Sequence, residues 1–189
     1  HGKHFIGNGY RSMLLSDYAF NYPYLRTTYH FAKGKLKYTS IFAQLSSMTR
    51  LPVSTTPEAT FKEKIGNFHY LTFKPGPKLE IGIFEGGIFK QYVDTLGTVP
   101  MDFSAYSPII GTSFAFNGFE GSNNVVLGVN LSYRLLKKVQ IYGQLVADNP
   151  AKKKLGYQVG VKSFDGFGIK NLYLQAELNS ALPYTFATS

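Results

Sequence analysis

At 189 residues the chain is long enough for one domain with a sizeable core. It holds no Cys, which excludes disulfide scaffolds and thiolate metal sites, and only 16% of its residues are charged, well under the roughly one quarter usual for soluble domains. Its 20 Lys and Arg against 11 Asp and Glu leave a net charge of +9, which favours anionic partners; no run of about 18 apolar residues exists, so no transmembrane helix is expected, whereas a β-barrel needs none.

The opening stretch, residues 1–21, contains the turn signal Gly7-Asn8-Gly9, and a short strand is expected over Tyr10–Leu15. Tyr22–Ala32 reads as a strand. Leu25, Thr27, Tyr29 and Phe31 lie on one face and Tyr24, Arg26, Thr28 and His30 on the other. Lys33-Gly34-Lys35 is a hairpin turn, and Leu36–Leu45 returns. Residues 46–65 read as a polar, Pro-containing loop. Asn67–Lys74 and Leu79–Glu85 flank the turn Pro75-Gly76-Pro77. Residues 86–122 show no sustained period; within them Ile109–Phe116 is expected as a strand or as a loop packed into a barrel lumen.

Residues 123–179 are the most regular part. Four runs alternate apolar and polar side chains, for example Val125, Leu127, Val129, Leu131, Tyr133 and Leu135 against Asn124, Gly128, Asn130, Ser132 and Arg134. None of the apolar faces carries a charge. The runs are about 9–13 residues long, enough for tilted strands to cross a bilayer, whereas a soluble sandwich typically uses strands of about 5–6. The connections tend to alternate short and long, as in up-and-down membrane barrels. The expected fold is therefore all-β: an antiparallel transmembrane (outer-membrane) β-barrel, formed as a single domain over residues 1–189. About nine candidate strands can be counted, and a part of about 8–10 strands from a larger barrel is expected. The chain opens on His1 without a signal peptide and reads as a piece of a longer protein.

Few residues suggest chemistry. His1, Lys3 and His4 lack a third ligand at a metal-site spacing, so no metal is expected. Gly7-x-Gly9 precedes no helix and is not a dinucleotide fingerprint. Glu80 with Glu85, or Asp94 with Asp102, could be imagined as carboxylate pairs, but nothing places either pair across a scissile bond, and no nucleophile-elbow pattern accompanies Ser12, Ser16 and Asp17. Lys152-Lys153-Lys154 reads as a solvated loop. No enzyme activity and no cofactor are expected. The polar strand face is more informative: Arg26, His30, Gln140, Gln144, Gln158, Lys162, Gln175 and Glu177 would line a lumen, either as sugar and anion contacts or as hydrogen-bonded filling.

The segment His1-Gly2-Lys3-His4-Phe5-Ile6-Gly7-Asn8-Gly9-Tyr10-Arg11-Ser12-Met13-Leu14-Leu15-Ser16-Asp17, followed by Asn21-Tyr22-Pro23-Tyr24, resembles the Wzi-type capsule assembly proteins. It is most similar to their Bacteroidetes branch, as is the ending Leu174–Asn179 with Pro183-Tyr184-Thr185. The resemblance implies a large β-barrel in the outer membrane of a Gram-negative bacterium, with a non-catalytic role in attaching or assembling surface polysaccharide and a link to gliding motility. Lys3, His4, Tyr10 and Arg11 belong to the segment that carries the resemblance. The partners it implies are anionic polysaccharide or lipopolysaccharide, outer-membrane lipid and other outer-membrane proteins, and not nucleic acid. Two alternatives stand beside it: a porin-like channel for small anions, and a soluble carbohydrate-binding β-sandwich.

Overall fold

The computed structural model describes residues 4–18, 21–50, 61–93, 97–100, 102–121, 123–183 and 185. The strands among them are β1 (Tyr24–Phe31), β2 (Leu36–Arg50), β3 (Phe61–Phe73), β4 (Leu79–Lys90), β5 (Tyr92–Val93), β6 (Gly97–Thr98), β7 (Asn124–Leu136), β8 (Val139–Asn149), β9 (Lys154–Phe164) and β10 (Tyr173–Ala181). Eight of them form one antiparallel sheet and pair in chain order, β1-β2-β3-β4-β7-β8-β9-β10. Strands β5 and β6 make a separate two-stranded ladder in the long connection between β4 and β7. The same connection carries a 3-10 turn at Phe103–Tyr106 and the short helix α1 (Thr112–Asn117).

Several expectations need correction. Residues 46–50 and 61–65 are strand rather than loop, because β2 and β3 keep pairing out to Arg50 opposite Phe61. Residues 86–90 continue β4, whose register with β3 holds as far as Lys90. Tyr10–Leu15 is not a strand: the opening stretch makes a single bridge, Ile6 with Leu15. Ile109–Phe116 is neither strand nor loop throughout: residues 109–111 are a bend and turn, and residues 112–116 lie in α1. The sheet does not close into a barrel; β1 and β10 are its two edges.

The register sorts the side chains onto two faces, since partners opposite one another point the same way. One face carries Arg26, Ile41, Phe68 and Gly86 in one row, and Asn130, Gln144, Gln158 and Asn179 in another. The other face carries Tyr29, Tyr38, Leu71, Ile83, Val129, Leu145 and Tyr157 in a single row. The burial is inverted relative to a soluble sheet. Asn130 and Gln158 are 1% exposed, while Leu131 and Val159, on the apolar face, are 50% and 58% exposed. Leu25, Tyr29, Phe31, Ile83, Tyr133, Ile141, Leu145, Tyr157 and Leu178 on that face are exposed as well.

The polar face is not polar throughout. Over β2–β4 it holds the main apolar cluster, Ile41, Ala43, Phe68 and Phe84, completed by Ile6, Leu14 and Leu15 of the opening stretch. A smaller cluster of Ile65, Phe89 and Ala105, with Phe42 against it, lies on the opposite face beneath the β4–β7 connection. The sheet therefore has a separate cover on each face: residues 4–18 on the polar one and residues 102–119 on the apolar one.

Candidate functional site

Strands β8, β9 and β10 set three rows of side chains on the polar face. Gln144, Gln158 and Asn179 stand opposite one another, as do Tyr142, Gly160 and Glu177, and Gln140, Lys162 and Gln175. Gly160 matters because a side chain there would collide with the Tyr142 ring. The ring lies across the space this glycine leaves, and its hydroxyl donates to Glu177 Oε2 at 2.7 Å and accepts from Gln175 Nε2 at 2.7 Å. Asn179 Nδ2 donates to the second carboxylate oxygen at 2.7 Å. Such charge-assisted bonds hold the Glu177 carboxylate in one orientation.

The opening stretch is seated on these rows by its backbone. Glu177 accepts from the Tyr10 N–H at 2.7 Å and the Arg11 N–H at 3.3 Å. Gln158 Nε2 donates to the Arg11 carbonyl at 2.7 Å. Gln144 holds both limbs of the loop, accepting from Met13 N–H at 2.8 Å and donating to the Ile6 carbonyl at 3.1 Å. The Ser12 hydroxyl also donates to the Ile6 carbonyl. The turn signal Gly7-Asn8-Gly9 has its reason here: a Cβ at Gly9 would meet the Glu177 carboxylate and the Gln158 amide. Leu14 fits over Gly128 of β7 in the same way.

The expected site residues thus separate into two groups. Gln144, Gln158 and Glu177 are brought together, and each bonds the backbone of the opening stretch; Gln158 Oε1 alone among their side-chain polar atoms is buried without a partner. They lie on the polar face beneath the opening stretch. Gln140 donates to the Ser132 hydroxyl, and the Lys162 ammonium lies 5.3 Å from the centre of the Tyr142 ring. Tyr10 and Arg11 are held by their backbones and present their side chains outward; Tyr10 is 67% exposed, and the Arg11 guanidinium stacks 3.7 Å from the centre of the exposed Tyr18 ring. Arg26 and His30 are exposed on the edge strand β1, with His30 opposite Lys37. Lys3 lies outside the described residues.

A cavity of about 140 Å³ opens beside the opening stretch, lined by His4, Arg26, Lys37, Thr39, Tyr70 and Glu80 among others. His4 is buried, and its ring packs edge-on against Tyr24 with centroids 4.4 Å apart. Burial, helped by the positive charge of Arg26, holds the His4 imidazole below its ordinary value of 6.5. A second cavity of about 140 Å³ lies at the short-turn end and gathers Lys74, Lys78 and Arg134 around Glu80, Ser132 and Gln140. Lys74 pairs with Glu80 at 2.7 Å.

The carboxylate pairs considered from the sequence do not form. Glu80 and Glu85 are an odd number of residues apart in β4 and point to opposite faces. Asp102 accepts from Ser104 N–H at 2.9 Å and caps the 3-10 turn; Asp94 lies outside the described residues. Of the lysine run, Lys152 and Lys154 pair with Glu120 and Asp148 at 3.4 and 3.6 Å. Among the described residues, no three His, Asp or Glu side chains are grouped to hold a metal ion.

Sequence reasoning misses a second buried polar cluster, on the apolar face. Asn67 (2% exposed), His69 (0%) and Glu85 (0%) occupy positions whose strand neighbours are apolar. Residues 102–119 bond Asn67 and Glu85 directly and reach His69 through Tyr38, leaving His69 Nε2 buried without a partner. Asn67 Nδ2 donates to the Ser104 and Ser107 carbonyls at 3.2 and 3.0 Å. Glu85 accepts from Gly111 N–H at 2.5 Å and Phe114 N–H at 2.7 Å. The Tyr38 hydroxyl bonds His69 Nδ1 at 2.8 Å and donates to the Pro108 carbonyl. The signal that could have found the cluster is polar residues at apolar parity on two strands that turn out to be neighbours, with His69 directly opposite Glu85. No protein-family model, no curated protein and no solved structure matches this chain.

Proposed function

We propose that this chain forms part of an outer-membrane β-barrel of a Gram-negative bacterium that acts without catalysis in attaching or assembling anionic surface polysaccharide, with a link to gliding motility. The observation that carries the membrane part is the inverted sheet. Its polar face is covered by residues 4–18, while a broad apolar face, uncharged from β7 to β10, stays exposed. Each large side chain left in water forgoes roughly 1.5–3 kcal/mol of burial, and contiguous patches of this size mark membrane or protein contact. Lipid satisfies that face without any partner atoms of defined shape. The sandwich alternative needs a second sheet broad enough to cover the apolar face, and the second sheet among the described residues is the two-stranded β5-β6 ladder.

An even strand count also suits the reading. With eight antiparallel strands in chain order, β1 and β10 run antiparallel to each other. Further strands joining the two edges would continue the same up-and-down order and remove the unpaired edges.

The polysaccharide part rests on the resemblance of the opening segment and on the charges facing the polar side. Arg26, Lys37, Lys78, Arg134 and Lys162 supply cations, and the outward-facing Tyr10, Arg11 and Tyr18 supply the aromatic and guanidinium surface that sugars and uronates favour. Many weak contacts along one long glycan sum to retention. The seated opening stretch weighs against the open-channel alternative, because it occupies the rows an anion would cross.

Two measurements test this. Protein extracted from membranes with detergent should migrate differently in gels with and without boiling; recovery in the soluble fraction with no shift sinks the membrane reading. A strain lacking the protein should lose capsule and surface spreading, and unchanged retention of anionic polysaccharide sinks the polysaccharide reading.

A further inference from the structure

On the apolar face Glu63 is exposed at the long-connection end of β3. Over the middle of β3 and β4 that face would be an ordinary lipid-facing surface but for Asn67, His69 and Glu85, of the same parity, which no bilayer core accepts bare: an unsatisfied polar group there costs several kcal/mol. Residues 102–119 lower that cost by bonding Asn67 and Glu85 directly and by accepting, at the Pro108 carbonyl, the Tyr38 hydroxyl that also bonds His69 Nδ1; His69 Nε2 stays buried without a partner. What they present in exchange is unusual for a long connection. From Phe103 to Phe119 there is not one charged residue; Asp102 and Glu120 bracket the stretch. Its outward side chains are Phe103 (90% exposed), Ile109 (66%), Phe116 (78%) and Tyr106 (41%). A connection meant for water is normally polar.

The position along the strands completes the case. Glu85 and Leu127 stand opposite each other, and the next row on the same face is Ile83 and Val129, both exposed and apolar. The cover therefore continues the exposed apolar band toward the long-connection end of the sheet. Aromatic side chains at the edge of such a band are what a membrane interface favours, because a ring can sit among headgroups with its body in the acyl region.

We infer that residues 102–119 are an interfacial cover, a segment that seals a polar cluster on the sheet's outer face and itself docks into the lipid interface through Phe103, Ile109 and Phe116. This rests on the membrane reading above. The occupant is lipid rather than a protein, because the outward surface is apolar, uncharged and continuous with the strand face.

The chain has no Trp, so single substitutions give clean reporters. Phe103→Trp, Phe116→Trp and, in the middle of the band, Leu131→Trp would be placed in the full-length protein, with any Trp outside these 189 residues replaced by Phe, and reconstituted into phosphatidylethanolamine and phosphatidylglycerol vesicles doped with brominated phosphatidylcholine. The expected result is blue-shifted emission from all three variants. Bromines near the headgroup end of the chain should quench the indoles at positions 103 and 116 most strongly, and bromines deeper in the chain should quench the indole at position 131. If lipid quenches the reporter at 131 while those at 103 and 116 are reached only by aqueous iodide, the cover faces water and the inference falls while the membrane reading stands. If the reporters at 103 and 116 are shielded from both quenchers, protein covers them and the inference falls. If the reporter at 131 itself escapes the brominated lipid, the membrane reading falls and takes this one with it.

Discussion

Glu177 and Glu85 do the same work on opposite faces of one sheet. Each accepts two backbone N–H groups from a segment that lies over its face: Tyr10 and Arg11 for Glu177, Gly111 and Phe114 for Glu85. The surroundings differ. Glu177 is half-buried on the edge strand β10 and shares its oxygens with Tyr142 and Asn179. Glu85 is fully buried in the middle of the sheet and has His69 directly across. The first seat can be rehydrated when a bond is lost; the second cannot. A buried polar group costs most when its partner is removed and water has no way in, so the two seats should fail very differently.

The largest effect is expected from Glu85→Ala. It strands the Gly111 and Phe114 N–H groups in a dry site, at about 1–3 kcal/mol each, and should loosen residues 102–119. Urea unfolding in detergent, with hydrogen exchange at Phe114, would show both. If the midpoint moves no more than for Glu177→Ala, the difference between the two seats is not real.

Next comes Gln144→Ala, which frees both limbs of the opening stretch at once. The loss should be about 1–2 kcal/mol, from two hydrogen bonds at roughly 0.5–1.5 each. Exchange at Met13 should rise while Phe114 stays protected; parallel changes at both would mean that the covers are coupled through the sheet. Glu177→Ala should cost about 1 kcal/mol or less, because water replaces the carboxylate at Tyr10 and Arg11. Measured in the same titration, it sharpens the comparison with Glu85.

The smallest effect concerns pH. His4 is held below its ordinary value of 6.5, so the folded seat favours the neutral ring and the released segment takes up the proton more readily. Its contribution is present above about 6.5 and is lost as the pH falls below that value. Arg26, Lys37 and Glu80 face the same cavity, and the two cations oppose a third positive charge. The protection factor at Ile6, its exchange rate taken against the intrinsic rate at each pH, should fall between neutral and mildly acidic pH, and His4→Gln should flatten that dependence. An unchanged slope in the variant would assign the effect to another group.

Much of this fold is legible in the residues themselves. The alternation in residues 123–179 places β7–β10, and the parity of Gln144, Gln158 and Glu177 puts them on one face, because strand side chains repeat every two residues and a uniform pattern leaves no choice of period. The short turns at Lys33-Gly34-Lys35 and Pro75-Gly76-Pro77 follow from residue type. Where the pattern weakens, the reading fails. The outer parts of β2, β3 and β4 mix polar and apolar residues at both parities, so residues 46–50, 61–65 and 86–90 pass for loop. They are strand because their neighbours pair with them, and pairing across a register is a non-local fact.

The sequence by itself determined the all-β class, the inverted polarity of the two faces over β7–β10 and the near absence of charge on the outer one. Those follow from composition and period. Only the tertiary structure decided which segment covers which face, and therefore that Gln144, Gln158 and Glu177 hold the protein's own backbone, while Tyr10 and Arg11 turn outward. It alone brought Asn67, His69 and Glu85 under residues 102–119. Both outcomes depend on contacts between residues far apart in the chain. Whether a buried polar side chain binds a ligand or its own chain is settled by what lies over it, and no local pattern carries that information.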